Sequence, residues 1–281
     1  MRIRRALAAP CVALFVLAAL TPAVQAAPDI VVRIDGTEVE NHHEHVFDDT
    51  VVGDGADLIV VVRNQGSEDL VFTETPPVTI SGGFPDQYEL VQPALEAGGK
   101  LSPNGSTAFR VTFRPEIHFA SLFTHLYLWT NASATPFHLV VRGRSLAPVL
   151  EVRYDGEAIA TGHDLEIPRV VPGENAQYVF TVRNAGDAPL HFTGDPLVEL
   201  LGDATDQFVI VPPALEAGAL LSPNGSTAFA VRYEPNETPS VAHAVDVRVE
   251  TDDLDGAFIF SIATQPVSAD VESWGRLKAG F

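Results

Sequence analysis

The chain has 281 residues, a formal net charge of −20, one cysteine and 21 prolines among mostly short apolar runs. So acidic a chain repels phosphate backbones and anionic lipid surfaces, which argues against nucleic acid and direct membrane binding as roles. The lone Cys11 lies near the start, so no thiol nucleophile, disulfide or cysteine metal knuckle is available to the remainder.

The first stretch carries three arginines in Met1–Arg5, an apolar run of fifteen residues from Ala6 to Leu20, and small residues up to Ala26. That order is the pattern of a secretory signal peptide over residues 1–26. The run is shorter than the roughly 20 residues that cross a bilayer. The expectation is export to the periplasm, the medium or the cell surface. Losing three arginines with the leader takes the charge from −20 to −23.

The 255 residues that remain spell one unit twice. Pro93–Phe109 and Pro213–Phe229 agree at fifteen of seventeen positions, at an offset of 120. Arg33-Ile34-Asp35-Gly36 returns as Arg153-Tyr154-Asp155-Gly156, and Val62-Arg63-Asn64-Gln65-Gly66 as Val182-Arg183-Asn184-Ala185-Gly186. Asp86-Gln87-Tyr88 returns as Asp206-Gln207-Phe208. The duplication predicts domains over 27–147 and 148–267, with a C-terminal tail over 268–281. Each copy is domain-sized rather than a solenoid repeat.

Taken along the chain, each copy alternates apolar and polar residues. Leu58, Val60 and Val62 match Tyr178, Phe180 and Val182; Phe109, Val111 and Phe113 match Phe229, Val231 and Tyr233. A period of two marks half-buried strands, and Pro and Gly punctuate them about every ten residues. About seven short strands per copy predict an all-β chain of two tandem Ig-like β-sandwich domains. In the shared segment, Leu95 and Leu101 (Leu215 and Leu221) are expected to plug the open end of each sandwich. Ser102-Pro103-Asn104-Gly105 reads as a type I turn with positive φ at the glycine. The joint, Gly143 to Pro148, is short and stiffened by proline.

These residues resemble a known family. The order is Asp35-Gly36, Asn64-Gln65-Gly66, Asp86-Gln87-Tyr88, Ser102-Pro103-Asn104-Gly105, Phe113-Arg114-Pro115 and Thr130-Asn131. The second copy repeats it through Asn184-Ala185-Gly186, Tyr233-Glu234-Pro235 and Thr251-Asp252-Asp253. That order is similar to the abnormal-spindle/hydin-like Ig-like repeats, shared by hydin-type ciliary proteins and bacterial choice-of-anchor D surface proteins. The resemblance covers residues ~29–267 and implies binding, spacing or docking modules with no catalytic residues. The tail after Gln265 shows no apolar anchor, sorting signal or lipidation cysteine, which favours a soluble exported protein.

Chemistry is sparse. His42, His43 and His45 form the densest histidine cluster, with His43 and His45 sharing one face if extended, as metal-binding imidazoles would; a polar loop after the first strand accounts for them better. Asp252, Asp253 and Asp255 near Gly256 suit Ca²⁺ in type, but the EF-hand spacing is missing and a tight turn explains them. There is no GxSxG, HExxH or phosphate loop. We therefore expect no metal, no cofactor and no enzyme.

The sharper signal is a difference between the copies. Aligning Thr130-Asn131 with Thr251-Asp252, a shift of one from the 120 offset, turns Leu126 and Leu128, like Val247 and Val249, inward. The outward positions are then Phe123, His125, Tyr127 and Trp129 in the first copy and Ala244, Asp246, Arg248 and Glu250 in the second. Exposed aromatics at i, i+2 and i+4 suit an interface. The alternative is that the stripe packs internally, and an unshifted offset turns it inward. The expectation is a docking or spacer module for a protein or cell-envelope partner. Two other readings stay open: a periplasmic assembly chaperone lending an edge strand, and a carbohydrate-binding accessory module.

Overall fold

A computed structural model describes residues 27–95, 99–212, 218–236 and 242–265. The expected leader, the tail and Leu215 lie outside the described residues. The first copy forms β1 Ile30–Ile34, β2 Thr37–Val39, β3 His43–Val46, β4 Thr50–Val51, β5 Ala56–Asn64, β6 Leu70–Val71, β7 Val78–Ser81, β8 Tyr88–Val91, β9 Lys100–Leu101, β10 Ser106–Phe113, β11 Leu122–Leu128, β12 Phe137–Gly143 and β13 Ser145–Leu146. The second forms β14 Leu150–Tyr154, β15 Glu157–Ile159, β16 Asp164–Ile167, β17 Ala176–Asn184, β18 Leu190–His191, β19 Val198–Leu201, β20 Phe208–Val211, β21 Leu220–Leu221, β22 Ser226–Tyr233, β23 Ala244–Val249 and β24 Phe258–Thr264.

Each copy is an Ig-like β-sandwich. In the first, an antiparallel sheet β2-β1-β5-β10-β8 faces a sheet β3-β12-β11-β7, in which β3 runs parallel to β12. The second repeats this as β15-β14-β17-β22-β20 over β16-β24-β23-β19. Two separate cores result. Val60, Phe109, Val111 and Phe113 meet Leu126, Leu128, Leu139 and Val141 in one, and Phe180, Phe229, Val231 and Tyr233 meet Val247, Phe260 and Ile262 in the other. Full burial of such side chains stabilises by roughly 1.5–3 kcal/mol each, so the inward half of the alternation supplies the driving force.

The recurring motifs have physical reasons. Asp35-Gly36 and Asp155-Gly156 take positive φ at both residues and close two-residue hairpins, pairing Ile34 with Thr37 and Tyr154 with Glu157. That is the turn whose twist matches the strands it joins. Asn64 is fully buried at the end of β5. Its Nδ2 donates to the carbonyls of Glu68 (2.7 Å) and Leu101 (3.0 Å), and its Oδ1 accepts from the Gly66 amide (2.9 Å). Asn184 repeats this with Ala188, Leu221 and Gly186. The glycine is demanded by close approach: a Cβ on Gly66 would lie 2.2 Å from the Ala27 carbonyl, and one on Gly186 2.3 Å from that of Ala147. Gln87 and Gln207 each end a single 3₁₀ turn, and their Oε1 atoms accept the amides of Glu116 (2.7 Å) and Asn236 (3.0 Å), just beyond the strand-ending prolines.

The Ser-Pro-Asn-Gly turn corrects one expectation. Positive φ falls on Asn104 (+63°) and Asn224 (+64°), not on the glycines. With the Gly105 amide donating to the Ser102 carbonyl at 2.8 Å, this is type II rather than type I geometry. Asparagine enters the left-handed region more readily than most residues, and the two side chains accept from Arg63 (3.5 Å) and Arg183 (2.7 Å), each 41 residues back in the chain. Leu101 and Leu221 are buried, and Leu95 packs against the first core.

Candidate functional site

In β11 every second residue is buried, from Leu122 through Thr124 and Leu126 to Leu128, and Phe123, His125 and Tyr127 between them are half-buried on the outer face. Trp129, just past the strand, is 37% exposed. The register bridges fix the relation between the copies: Phe72 pairs with Thr130, and Phe192 with Thr251. The two phenylalanines differ by 120 and the two threonines by 121; β10 and β22 still differ by 120, so the second copy gains one residue between β22 and β23.

The structure adds residues that the strand alone did not show. Tyr127 pairs across to His138 on β12 and Phe123 to Arg142. The His138 ring stacks on Tyr127 with centroids 4.8 Å apart and an 8° tilt, and lies 5.0 Å from His125 and 4.9 Å from His42. His138 Nε2 meets His125 Nδ1 at 2.9 Å, and His138 Nδ1 meets His42 Nδ1 at 2.7 Å. At the other end, Phe123 touches His125 edge-on at 5.7 Å, and Phe84 bridges Phe123 (6.4 Å) and Phe119 (5.5 Å). The Arg142 guanidinium sits 5.3 Å over Phe123, donates to Ser121 and pairs with Glu44. The result is a run of touching rings across the outer face, from Phe119 through Phe84, Phe123 and His125 to Tyr127 with His138 and then His42.

The sister sheet is an internal control. At the corresponding slots it carries Ala244, Asp246, Arg248 and Glu250. Asp246 accepts from Ser261 at 2.6 Å, and Arg248 pairs with Glu199 and Glu250. Ile259 stands where His138 does, paired with Arg248. Ala204 replaces Phe84, and Gly162 replaces His42. The same sandwich therefore folds without the ring run. Extending the copy-to-copy comparison from β11 to β12 and the flanking turns was the signal that would have found His42, Phe84 and His138.

The histidine cluster separates. His42 joins the ring run, whereas His45 packs edge-on against Phe47 at 5.0 Å, where burial pushes its pKa below the ordinary value. His43 lies opposite Leu139 on the half-buried face of β3. Among the described residues no three His, Cys, Asp or Glu side chains are placed to hold a metal ion. In the ring run the reason is that His138 turns its two nitrogens toward two different neighbours, so lone pairs do not converge. The acidic turn is likewise occupied by backbone. Asp252 accepts the His191 amide and contacts its ring, both at 2.8 Å; Asp253 accepts the amides of Leu150 and Asp255.

No protein-family model matches the chain, and no curated protein matches it. Among solved structures it is similar to a protein of unknown function from Porphyromonas gingivalis W83, at 13% identity, covering 83% of this chain and 99% of that one, with a TM-score of 0.31. It is also similar to the ASH / PapD-like domain of human CEP192, at 16% identity over 44% and 89% of the two chains, TM-score 0.31. The YadV chaperone matches at 10% identity over 84% and 99%, TM-score 0.26. Likenesses of this degree concern the fold alone.

Proposed function

We propose that this chain is a non-catalytic, exported docking module, which holds a protein or cell-envelope partner on the outer face of its first sandwich. The observation that carries this reading is the contrast between the copies. Both sandwiches bury the same inward pattern, yet one outer sheet is ion-paired and the other is a continuous run of rings. Packing of the fold does not require the rings, because the sister domain does without them. Aromatic side chains with polar edges offer contact area at low entropic cost, which is what anchors an interface. The order of motifs along both copies supports the abnormal-spindle/hydin-like reading, whose modules act by docking. The edge-donating chaperone reading is less favoured for this domain, because the Gln92 amide occupies both the N–H (3.0 Å) and the C=O (2.8 Å) of Val78 on edge strand β7.

The test exchanges the face for its sister: Phe123→Ala, His125→Asp, Tyr127→Arg and Trp129→Glu in one variant. A sheet of this kind already folds with those residues, so thermal unfolding should stay close to wild type. Cross-linking capture from envelope and secreted fractions should then lose a partner that the wild type holds. A folded variant that captures the same set as wild type removes the proposal.

A further inference from the structure

The three imidazoles of the ring run share protons under a strict count. Each of the two N···N contacts, at 2.7 and 2.9 Å, closes with one proton between the rings. Outside the contacts, only the Nε2 atoms of His42 and His125 remain to carry a proton. The intact chain thus holds four protons at most. Three neutral imidazoles use three of them, so a single extra charge fits. A second extra proton sets two N–H groups head to head across one contact, and like charges add to the clash.

A second observation shows that the contact is bought at a backbone cost. His42 sits at φ +69°, in the left-handed region, where the sister domain has Gly162 at +75°. A glycine would take this conformation freely; histidine there is uncommon. The side chain placed at that cost reaches the His138 ring. The turn is tied to β12 at the same point: the His42 amide donates to the His138 carbonyl (2.8 Å), and Asn41 Oδ1 accepts the His138 amide (2.7 Å).

We propose that the His42–His138–His125 chain is a proton gate on the docking face, assembled at neutral pH and dismantled in mild acid when more than one extra proton enters. The surrounding groups set the gate without replacing it. Glu40, His43 and Glu44 flank His42 on its own turn and strand, with Glu44 taken up by Arg142 of β12. Tyr127 of β11 stacks on His138. β7 brings only Thr79 and Ser81 to the register of Tyr127 and His125, neither of them charged. Burial, then the neighbouring His125 and His42, holds the His138 pKa below its ordinary 6.5. The sign follows: the unfolded or opened ring binds protons more readily, so acid favours opening. The gate's role in releasing a partner rests on the docking reading; the gate itself does not.

The experiment is a histidine titration of the purified full chain by NMR, with amide exchange at His42 and His138, from about pH 7.5 to about pH 5. The expected result is that His138 titrates below its ordinary 6.5, and that protection of both amides, taken against the intrinsic exchange rate at each pH, falls about tenfold or more through the same transition, the scale of one lost hydrogen bond. His42→Gly, the sister domain's own residue, should fold, remove the transition at the remaining turn amides and raise the His138 midpoint. Three independent midpoints with unchanged amide protection, or a His42→Gly variant with the wild-type transition, overturns the gate. Capture at both pH values separates the two ideas. Failure of the face exchange to alter capture removes the docking reading while this titration stands, and capture that the exchange abolishes but pH leaves unchanged removes the gate's role in release.

Discussion

Asn64 and Asn184 illustrate how much one side chain can hold. Each is completely buried and serves backbone groups from three separate segments, including the amide that follows the first proline of its domain, Asp29 at 3.4 Å and Val149 at 3.3 Å. Alanine there leaves two carbonyls and two amides without a partner. Buried groups so left cost roughly 1–3 kcal/mol apiece, reduced where water reaches them. Asn64→Ala should therefore destabilise the first domain by about 3 kcal/mol, read as a lower urea midpoint at unchanged slope. A loss under about 0.5 kcal/mol, the range of an ordinary surface change, contradicts the latch. The asparagine was legible as part of a repeated Asn-x-Gly, but its four-way bonding was not, because the partners lie up to 37 residues away. The turn type was misread for a related reason. Both Asn104 and Gly105 accept positive φ in principle, and the bond from Gly105 back to Ser102 closes either turn type, so the residues alone do not choose and only the observed φ of Asn104 does.

At the scale of elements, alternation located the long strands because each has one face in a core. β5, β10 and β11, with their sister strands, follow the pattern read from the sequence. The short strands were not legible: β4, β6, β9 and β13 have two residues each, too few to show a period. The outer face was half legible. Its β11 residues stood out by comparison with the sister copy. His138 and His42 reach it through a cross-strand pair and a left-handed turn, and neither leaves a local pattern. Edges show the same dependence on distant residues. Gln92, fourteen positions from Val78, closes the β7 edge with its side-chain amide. An exposed edge strand is a template for pairing with another chain. Gln92→Ala should cost about 1 kcal/mol of stability and produce concentration-dependent association in sedimentation; a strictly monomeric variant would show that the amide does not guard the edge.

At the scale of the whole molecule, one carboxylate adds to the backbone bonds that tie Ala147 and Val149 to the loop after β17. Asp187, in the loop after β17, accepts from Arg144 Nη2 at 2.7 Å and from the Ala147 amide at 2.9 Å, and its Oδ1 lies 3.2 Å from His118 Nε2. Arg144 reaches back to Asp49 at 2.9 Å, so one guanidinium links acids of both copies. The first domain has Ser67 at the matching position, which shows that the sandwich itself does not need the carboxylate. Partial burial, the largest single influence on Asp187, pushes its pKa up. The Ala147 amide, His118 and Arg144 outweigh it and hold the carboxyl below its ordinary 3.8. A depressed carboxyl contributes its stabilisation above the unfolded value and loses it as pH falls through the folded one. The clasp is thus intact at neutral pH and fails only below 3.8, so mild acid leaves the joint closed. Asp187→Asn keeps an acceptor for Ala147 but gives up the charge. It should loosen the joint by about 0.5–1 kcal/mol, the scale of a partly exposed ion pair. Small-angle scattering should show a wider spread of domain separations for Asp187→Asn at neutral pH, and wild type should approach that spread only below pH 3.8. A variant whose scattering matches wild type at both pH values would mean that the Ala147–Pro148 segment and its backbone bonds set the joint without Asp187.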